Sequence, residues 1–216
     1  MISYIKLKEY SFLKIFDSIL NKTQKKTVNS NIFLTIDYND YHSLIDSHYN
    51  EYLKIVKDLH SELKIDFYFQ KYPNLRYNTS SDNFPVWHTD KHFGHHIEEI
   101  NVMIPITKDE FGFEIIGITS HILKHLNTKI LNSKIGKYFL NLISTKYNYL
   151  DEIIIFDSYH LHTASNRKEY KNPRVSIDLR VLPVNHKPEY NTSLRGISFK
   201  PGHYFSEHPI SYYIKE

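Results

Sequence analysis

The chain has no cysteine among its 216 residues. That absence excludes disulfides, thiolate nucleophiles, iron–sulfur ligation and cysteine-containing zinc sites. No stretch approaches the ~20 apolar residues that cross a bilayer as a helix. The first residues also lack the apolar run of a secretory leader. Together these absences fit a reducing compartment, and the expected location is cytoplasmic. No repeat, Pro/Gly-rich linker or low-complexity segment divides the chain, whose length suits one domain with a sizeable core. Charge of one sign is lacking too. Lys and Arg number 27 against 24 Asp and Glu, a net charge of +3. The lysines are scattered, so neither a nucleic acid nor a membrane is expected as a partner. The local run Lys22-Thr23-Gln24-Lys25-Lys26 reads as a solvated loop.

Aromatic residues are abundant, with 18 Tyr and 13 Phe. That fits β-rich structure and a pocket lined by rings. The first third reads mainly helical. Residues 4–20 have apolar positions near helical spacing. Residues 40–63 show the pattern more clearly through Leu44, Ile45, Tyr49, Leu53, Val56, Leu59 and Leu63. Residues 32–36 read as a short strand between them. From Asp66 onward the texture changes to short β-branched or aromatic runs at 67–69, 74–78, 100–106, 113–118, 153–156 and 174–182. Residues 123–147 interrupt them as an inserted helix or an irregular excursion. The expected class is α+β, with N-terminal helices packed on one sheet of a β-sandwich or jelly roll. A single domain is expected, divided into a helical part (1–65), a strand-rich core (66–183) and a C-terminal extension (184–216).

Three short elements carry chemistry. The first is His88-Thr89-Asp90, at the end of a strand or in the loop after it. Side chains at i and i+2 of an extended segment point the same way, so both can reach one metal ion. The motif alone is weak: with 14 His in the chain, about one His-x-Asp match arises by chance. The second element is an apolar strand, Ile153 to Phe156, followed by a turn with His160 and His162. Strand parity does not separate those two histidines. The third is Arg174-Val175-Ser176-Ile177-Asp178-Leu179-Arg180-Val181, where apolar and polar residues alternate. Its polar face either points to solvent with an Arg–Asp pair or lines the interior of a barrel. In the second case Arg and Ser would hold a carboxylate there. Two His and one Asp can occupy one face of Fe(II) and leave other positions open.

Taken in order, these elements resemble the Fe(II)/2-oxoglutarate-dependent oxygenases. They are most similar to the branch related to phytanoyl-CoA hydroxylase, which includes oxygenases of streptomycin-type aminosugar and surface-glycan biosynthesis. The matching segments begin with Trp87 to His95 and Glu99 to Thr107. They continue with Phe156-Asp157, His162, Asn166 and Arg174 to Val181. The resemblance spans about residues 66 to 183. It implies a double-stranded β-helix (jelly roll) core, with His88, Asp90 and His162 as iron ligands and catalytic centre. His162 takes precedence over His160 because it keeps the family's spacing. Arg174 and Ser176 would hold the distal carboxylate of 2-oxoglutarate, with Arg180 as a competing anchor. Asn101 and Arg76 are further candidates for contacting the co-substrate. The segment after Thr107 keeps the family's pattern only loosely.

The resemblance implies Fe(II), 2-oxoglutarate and O2 as cofactors and co-substrates, with succinate and CO2 released. The substrate it implies is a small polar molecule, a sugar or nucleotide-linked sugar, hydroxylated or oxidised at an alcohol carbon. A homodimer is left open. Two other classes share parts of the pattern. A cupin-type, metal-dependent sugar isomerase or epimerase would not need Arg174-x-Ser176, and a ligand-binding β-sandwich would use the histidines structurally. His121 and His125, at i, i+4 spacing, read as a solvent-facing pair. His92, His95 and His96 read as lining the mouth of the site or bonding a substrate.

Overall fold

A computed structural model describes residues 2–6, 38–78, 86–96, 98–106, 113–117, 125, 127–147, 152–164, 174–186 and 201–215. In chain order its elements begin with β1 (Ile2–Lys6), α1 (Tyr38–Ser47), α2 (Tyr49–Leu63), β2 (Phe67–Phe69) and β3 (Asn74–Asn78). β4 (Ile100–Pro105), β5 (Phe113–Ile115), α3 (Thr128–Leu131), α4 (Lys134–Ile143) and β6 (Thr145–Tyr147) follow. β7 (Glu152–Asp157), β8 (His162–Ala164), β9 (Arg174–Pro183) and α5 (Ile210–Ile214) complete the order. This is a mixed arrangement of helices and antiparallel sheets.

The helical reading of residues 40–63 becomes two helices that break at His48. Ile45, Tyr52, Ile55, Val56 and Leu59 recur at spacings of three, four and seven and are all buried, the signature of a helix with one face in a core. Lys64 ends α2 by adopting a left-handed conformation, φ 54°, and its N–H bonds His60 O at 2.9 Å.

The larger sheet runs β1-β7-β4-β9-β2, with β3 also paired to β9. Its pairings are antiparallel throughout. On β9 the alternation seen in the sequence sorts the two faces. Ile177, Leu179 and Val181 pack with α1, α2 and Ile210 of α5 in the main apolar cluster. Ser176, Asp178 and Arg180 point the other way, yet Ser176 and Arg180 are buried. Asp178 pairs in register with Met103, and Met103 packs against Phe113 and Ile115 of β5. The polar face of β9 therefore looks toward the second sheet, not toward solvent.

That second sheet has the order β6-β5-β8, and an isolated bridge between His88 and His162 extends it. The cluster of Met103, Phe113, Ile115, Ile154 and Phe156 fills the space between the sheets. The C-terminal residues close the helical layer: Ser211 donates from N and Oγ to the Asp66 carboxylate at 3.0 and 2.6 Å.

One expectation is corrected and another is resolved. Residues 4–6 belong to a strand, because the open edge of β7 offers Ile2–Lys6 a full set of hydrogen-bond partners, and tertiary pairing overrides weak helical spacing. The excursion at 123–147 resolves in its described part into α3, α4 and then a strand, β6. The expected strand at 32–36 and the lysine run at 22–26 lie outside the described residues.

Ile177 joins the sheet to the helices at the centre of β9. Ile177→Ala should cost about 2–5 kcal/mol of stability, read as a lower urea midpoint at unchanged slope. A loss under ~1 kcal/mol would show that the helix–sheet interface is not the dominant core.

Candidate metal centre

The site starts from a backbone pairing. His88 N donates to His162 O at 3.2 Å, and His162 N donates to His88 O at 2.9 Å. Residues that exchange both bonds across an antiparallel pair send their side chains to the same face. The two rings accordingly lie 4.3 Å apart between centroids. Asp90 follows at the start of a 3-10 turn, Asp90–Phe93. Thr89 caps that turn with His92, its N–H bonding His92 Nδ1 at 3.1 Å. Gly94, at φ 87°, ends it where a side chain would be strained. Donor atoms of His88, Asp90 and His162 all lie within 4.8 Å of one another.

The chemistry of this triad fits a divalent metal. His88 Nδ1 lies 2.7 Å from Val86 O, and His162 Nδ1 lies 2.9 Å from His160 O. A carbonyl only accepts, so each Nδ1 carries the proton and each Nε2 keeps its lone pair for a ligand. Burial, reinforced by the neighbouring His162, lowers the His88 pKa to about 3. Burial also lowers that of His162, against the pull of Asp90. Both rings are thus neutral at physiological pH. For Asp90, burial works against ionisation, but Arg180 and then His162 outweigh it and hold the carboxyl well below the usual range. Two neutral imidazoles and one carboxylate form the donor set of a facial triad.

Arg180 anchors this arrangement. Its Nη2 lies 3.2 Å from Asp90 Oδ1, and its Nε lies 3.6 Å from Glu99 Oε2. Nε donates to Asn101 Oδ1 at 3.0 Å, and Nη1 donates to Tyr204 OH at 3.0 Å. Burial opposes its charge, but Asp90, Tyr204 and Glu99 together push the pKa well above its ordinary value. Burial pushes the Tyr204 phenol up to about 12 against the pull of Arg180, which keeps it neutral. Glu99 is fully buried and also meets His95 Nδ1 at 2.9 Å and His96 N at 2.9 Å. Among the described residues, Asn101 Nδ2 is a buried donor with no acceptor.

The sequence candidates are placed as follows. His162 joins His88 and Asp90, whereas His160 pairs through Nδ1 with Asp157 Oδ1 at 2.6 Å. Burial disfavours that carboxylate, but the His160 bond and charge, with further favourable contacts, together outweigh it, and its pKa falls to about 2. Arg180 has all three guanidinium nitrogens engaged, so it orients Asp90 and is not a free carboxylate anchor. Arg174 opens β9 opposite Asn78. Its side chain lies outside the described residues, as do Asn166 and His121. Ser176 donates to Asp178 Oδ1 at 3.3 Å, and Arg76 Nε pairs with Asp178 Oδ2. The Arg76 charge also contributes to lowering both site histidines. His92, His95 and His96 brace the loop through Thr89, Glu99 and Glu98. His125 is exposed. Phe113 and Phe156 lie 5.7 and 5.0 Å from His162, and Phe93 lies 5.0 Å from His88.

Tyr204 is the residue that sequence reasoning missed. It lies beyond the motif-bearing region, and no local pattern marks it. The role of Arg180 was half visible, since parity places it on the Ser176 face of β9.

No family model and no curated protein matches the chain. Among solved structures it is similar to HygX from Streptomyces hygroscopicus, determined with nickel, 2-oxoglutarate and hygromycin B bound. The identity is 10%, the TM-score is 0.45, and the match covers 97% of this chain and 94% of that one. A likeness at that level fixes neither fold nor function. Among the described residues, no helix is long and apolar enough to cross a membrane.

Arg180→Met should leave Asp90 buried without its counter-charge and cost about 3–5 kcal/mol at neutral pH. A carboxylate whose folded pKa is depressed contributes stability above its unfolded value, and that contribution is lost as pH falls. The gap between variant and wild type should therefore narrow as pH drops below the unfolded value of 3.8. Urea unfolding across this range measures it; a pH-independent gap refutes the Asp90–Arg180 coupling.

Proposed function

We propose that the chain is an Fe(II)- and 2-oxoglutarate-dependent oxygenase of the phytanoyl-CoA hydroxylase-like branch, with a sugar or nucleotide-linked sugar as substrate. The observation that carries the reading is the triad itself: two neutral imidazoles with unprotonated Nε2 atoms and one ionised carboxylate, gathered within 4.8 Å.

Strand order supports a double-stranded β-helix. β3, β4, β7 and β9 lie in one sheet, and His88, β5, β6 and β8 lie in the other. From β3 onward the chain alternates between sheets except for the β5–β6 pair, which is the winding of a jelly roll.

In this reading His88, Asp90 and His162 hold Fe(II), and Arg174 and Ser176 hold the distal carboxylate of 2-oxoglutarate. With O2, these groups supply an oxidant able to take hydrogen from a substrate carbon, releasing succinate and CO2. The chain's own residues do the rest. The Val86 and His160 carbonyls fix the imidazole tautomers, and Arg180 keeps Asp90 ionised and aimed. Phe93, Phe113 and Phe156 give the site apolar walls that limit water. Asn101 Nδ2, without an acceptor among the described residues, is a donor available to an acceptor atom of a bound molecule. Asp178 already takes the Ser176 hydroxyl and Arg76. A co-substrate carboxylate would compete with Asp178 for both. Hydroxylation is the default outcome.

Anaerobically purified protein given Fe(II), 2-oxoglutarate and O2 should form succinate, and chelation of the metal should stop it. His162→Ala should abolish turnover. His160→Ala should retain it at reduced stability, because it removes the Asp157 partner. Arg174→Ala should raise the 2-oxoglutarate requirement by roughly 10–100-fold, since it removes a charge partner and spares the metal. No succinate, even with candidate sugars present, rules the oxygenase out in favour of a cupin-type isomerase or a binding sandwich.

A further inference from the structure

We propose that α3 and α4 form a docking surface for an anionic lipid bilayer. The inference does not depend on the chemistry assigned to the metal centre.

α4 carries two apolar faces where an ordinary surface helix carries one. One face is buried: Leu140, with Ile143 beside it, packs with Trp87, Ile116, Leu131 and Leu161. Gly136 permits close approach to α3. A Cβ there would collide with the Ile130 carbonyl and come within 2.7 Å of Leu131 O. The other face consists of Ile135, Tyr138, Phe139 and Leu142, spaced i, i+3, i+4 and i+7. They are 82%, 70%, 51% and 67% exposed, and Ile130 of α3 adds a neighbour at 56%. Outward apolar positions at this density mark a surface meant to be covered.

Charge indicates the occupant. Between Glu114 and Asp151 the sequence has no acidic residue but five lysines: Lys124, Lys129, Lys134, Lys137 and Lys146. Lys129 and Lys134 are exposed and Lys137 is partly so. An apolar face flanked by cations, with no acidic residue on α3 or α4, complements an interface that is apolar below and negative above, as an anionic bilayer is. A second copy fits poorly. A two-fold contact would bring the same lysines together without acidic partners to neutralise them. The whole-chain charge of +3 gave no reason to expect a membrane. The local concentration of cations around an apolar face does.

The surface is fastened rigidly. Asn132, just after α3, accepts from Trp87 N at 2.8 Å and donates to Trp87 O at 2.9 Å. Asn141 of α4 accepts from Trp87 Nε1 at 3.3 Å. Ser133 caps α4 by accepting from Gly136 N at 3.1 Å.

The test is co-flotation of the full chain with phosphatidylcholine vesicles, with and without phosphatidylglycerol, at low and high salt. The protein should float with the anionic vesicles and not with the neutral ones, and salt should release it. Ile135→Asp with Leu142→Asp should weaken vesicle binding at least ~tenfold, and Lys134→Glu with Lys137→Glu should do the same. These side chains are outward or flanking, so thermal unfolding should be unchanged. Tyr212→Asp, at an exposed aromatic elsewhere, should leave binding intact. Background-level flotation with anionic vesicles overturns the proposal, as does binding indifferent to both double variants. A concentration-dependent dimer seen by light scattering and abolished by Ile135→Asp with Leu142→Asp also overturns it, and assigns the face to a second copy.

Discussion

A guanidinium buried between carboxylates is the constraint on which the site depends. Arg180 joins four parts of the chain: the turn that carries Asp90, the start of β4 with Glu99 and Asn101, its own strand β9, and Tyr204 near the C-terminus. An isolated charge in such a position is very costly, and so is an isolated carboxylate. Together they settle the ionisation of Asp90 and its direction at once. The backbone bridge between His88 and His162 then delivers two imidazoles to the same spot. One electrostatic knot and one strand pairing therefore suffice to gather three donors from distant parts of the sequence.

What the sequence could reveal followed the range of the signal. The alternation Val175, Ile177, Leu179, Val181 is a local pattern, and the strand forms with those residues on the core face. The helical spacing from Ile45 to Leu59 is equally local, and only the break at His48 was hidden. β1 failed because its conformation comes from the edge of β7, more than a hundred residues away. β8 is three residues long and had no pattern of its own; its register comes from β5 and from His88.

The site divides in the same way. The choice between His160 and His162 cannot be made from parity, because both residues have the same one. It is made in space, where Asp157 takes His160 and leaves its neighbour for His88 and Asp90. Whether the polar face of β9 pointed in or out was also undecidable locally. It points inward because Phe113 and Ile115 cover it from the second sheet, packing against Met103 beside it on β4. Tyr204 could not be found by any motif, since only folding brings its hydroxyl to Arg180.

Trp87 is the single tryptophan of the chain. It precedes the first histidine of the triad, packs under α4 and is clamped by Asn132 and Asn141. All tryptophan emission from this protein therefore originates at one junction. Quenching by a paramagnetic ion added to the candidate site and a spectral shift when the overlying helix is disturbed would be separable signals. The fold thus holds an intrinsic optical probe that needs no label and sits between the candidate metal site and the helical surface.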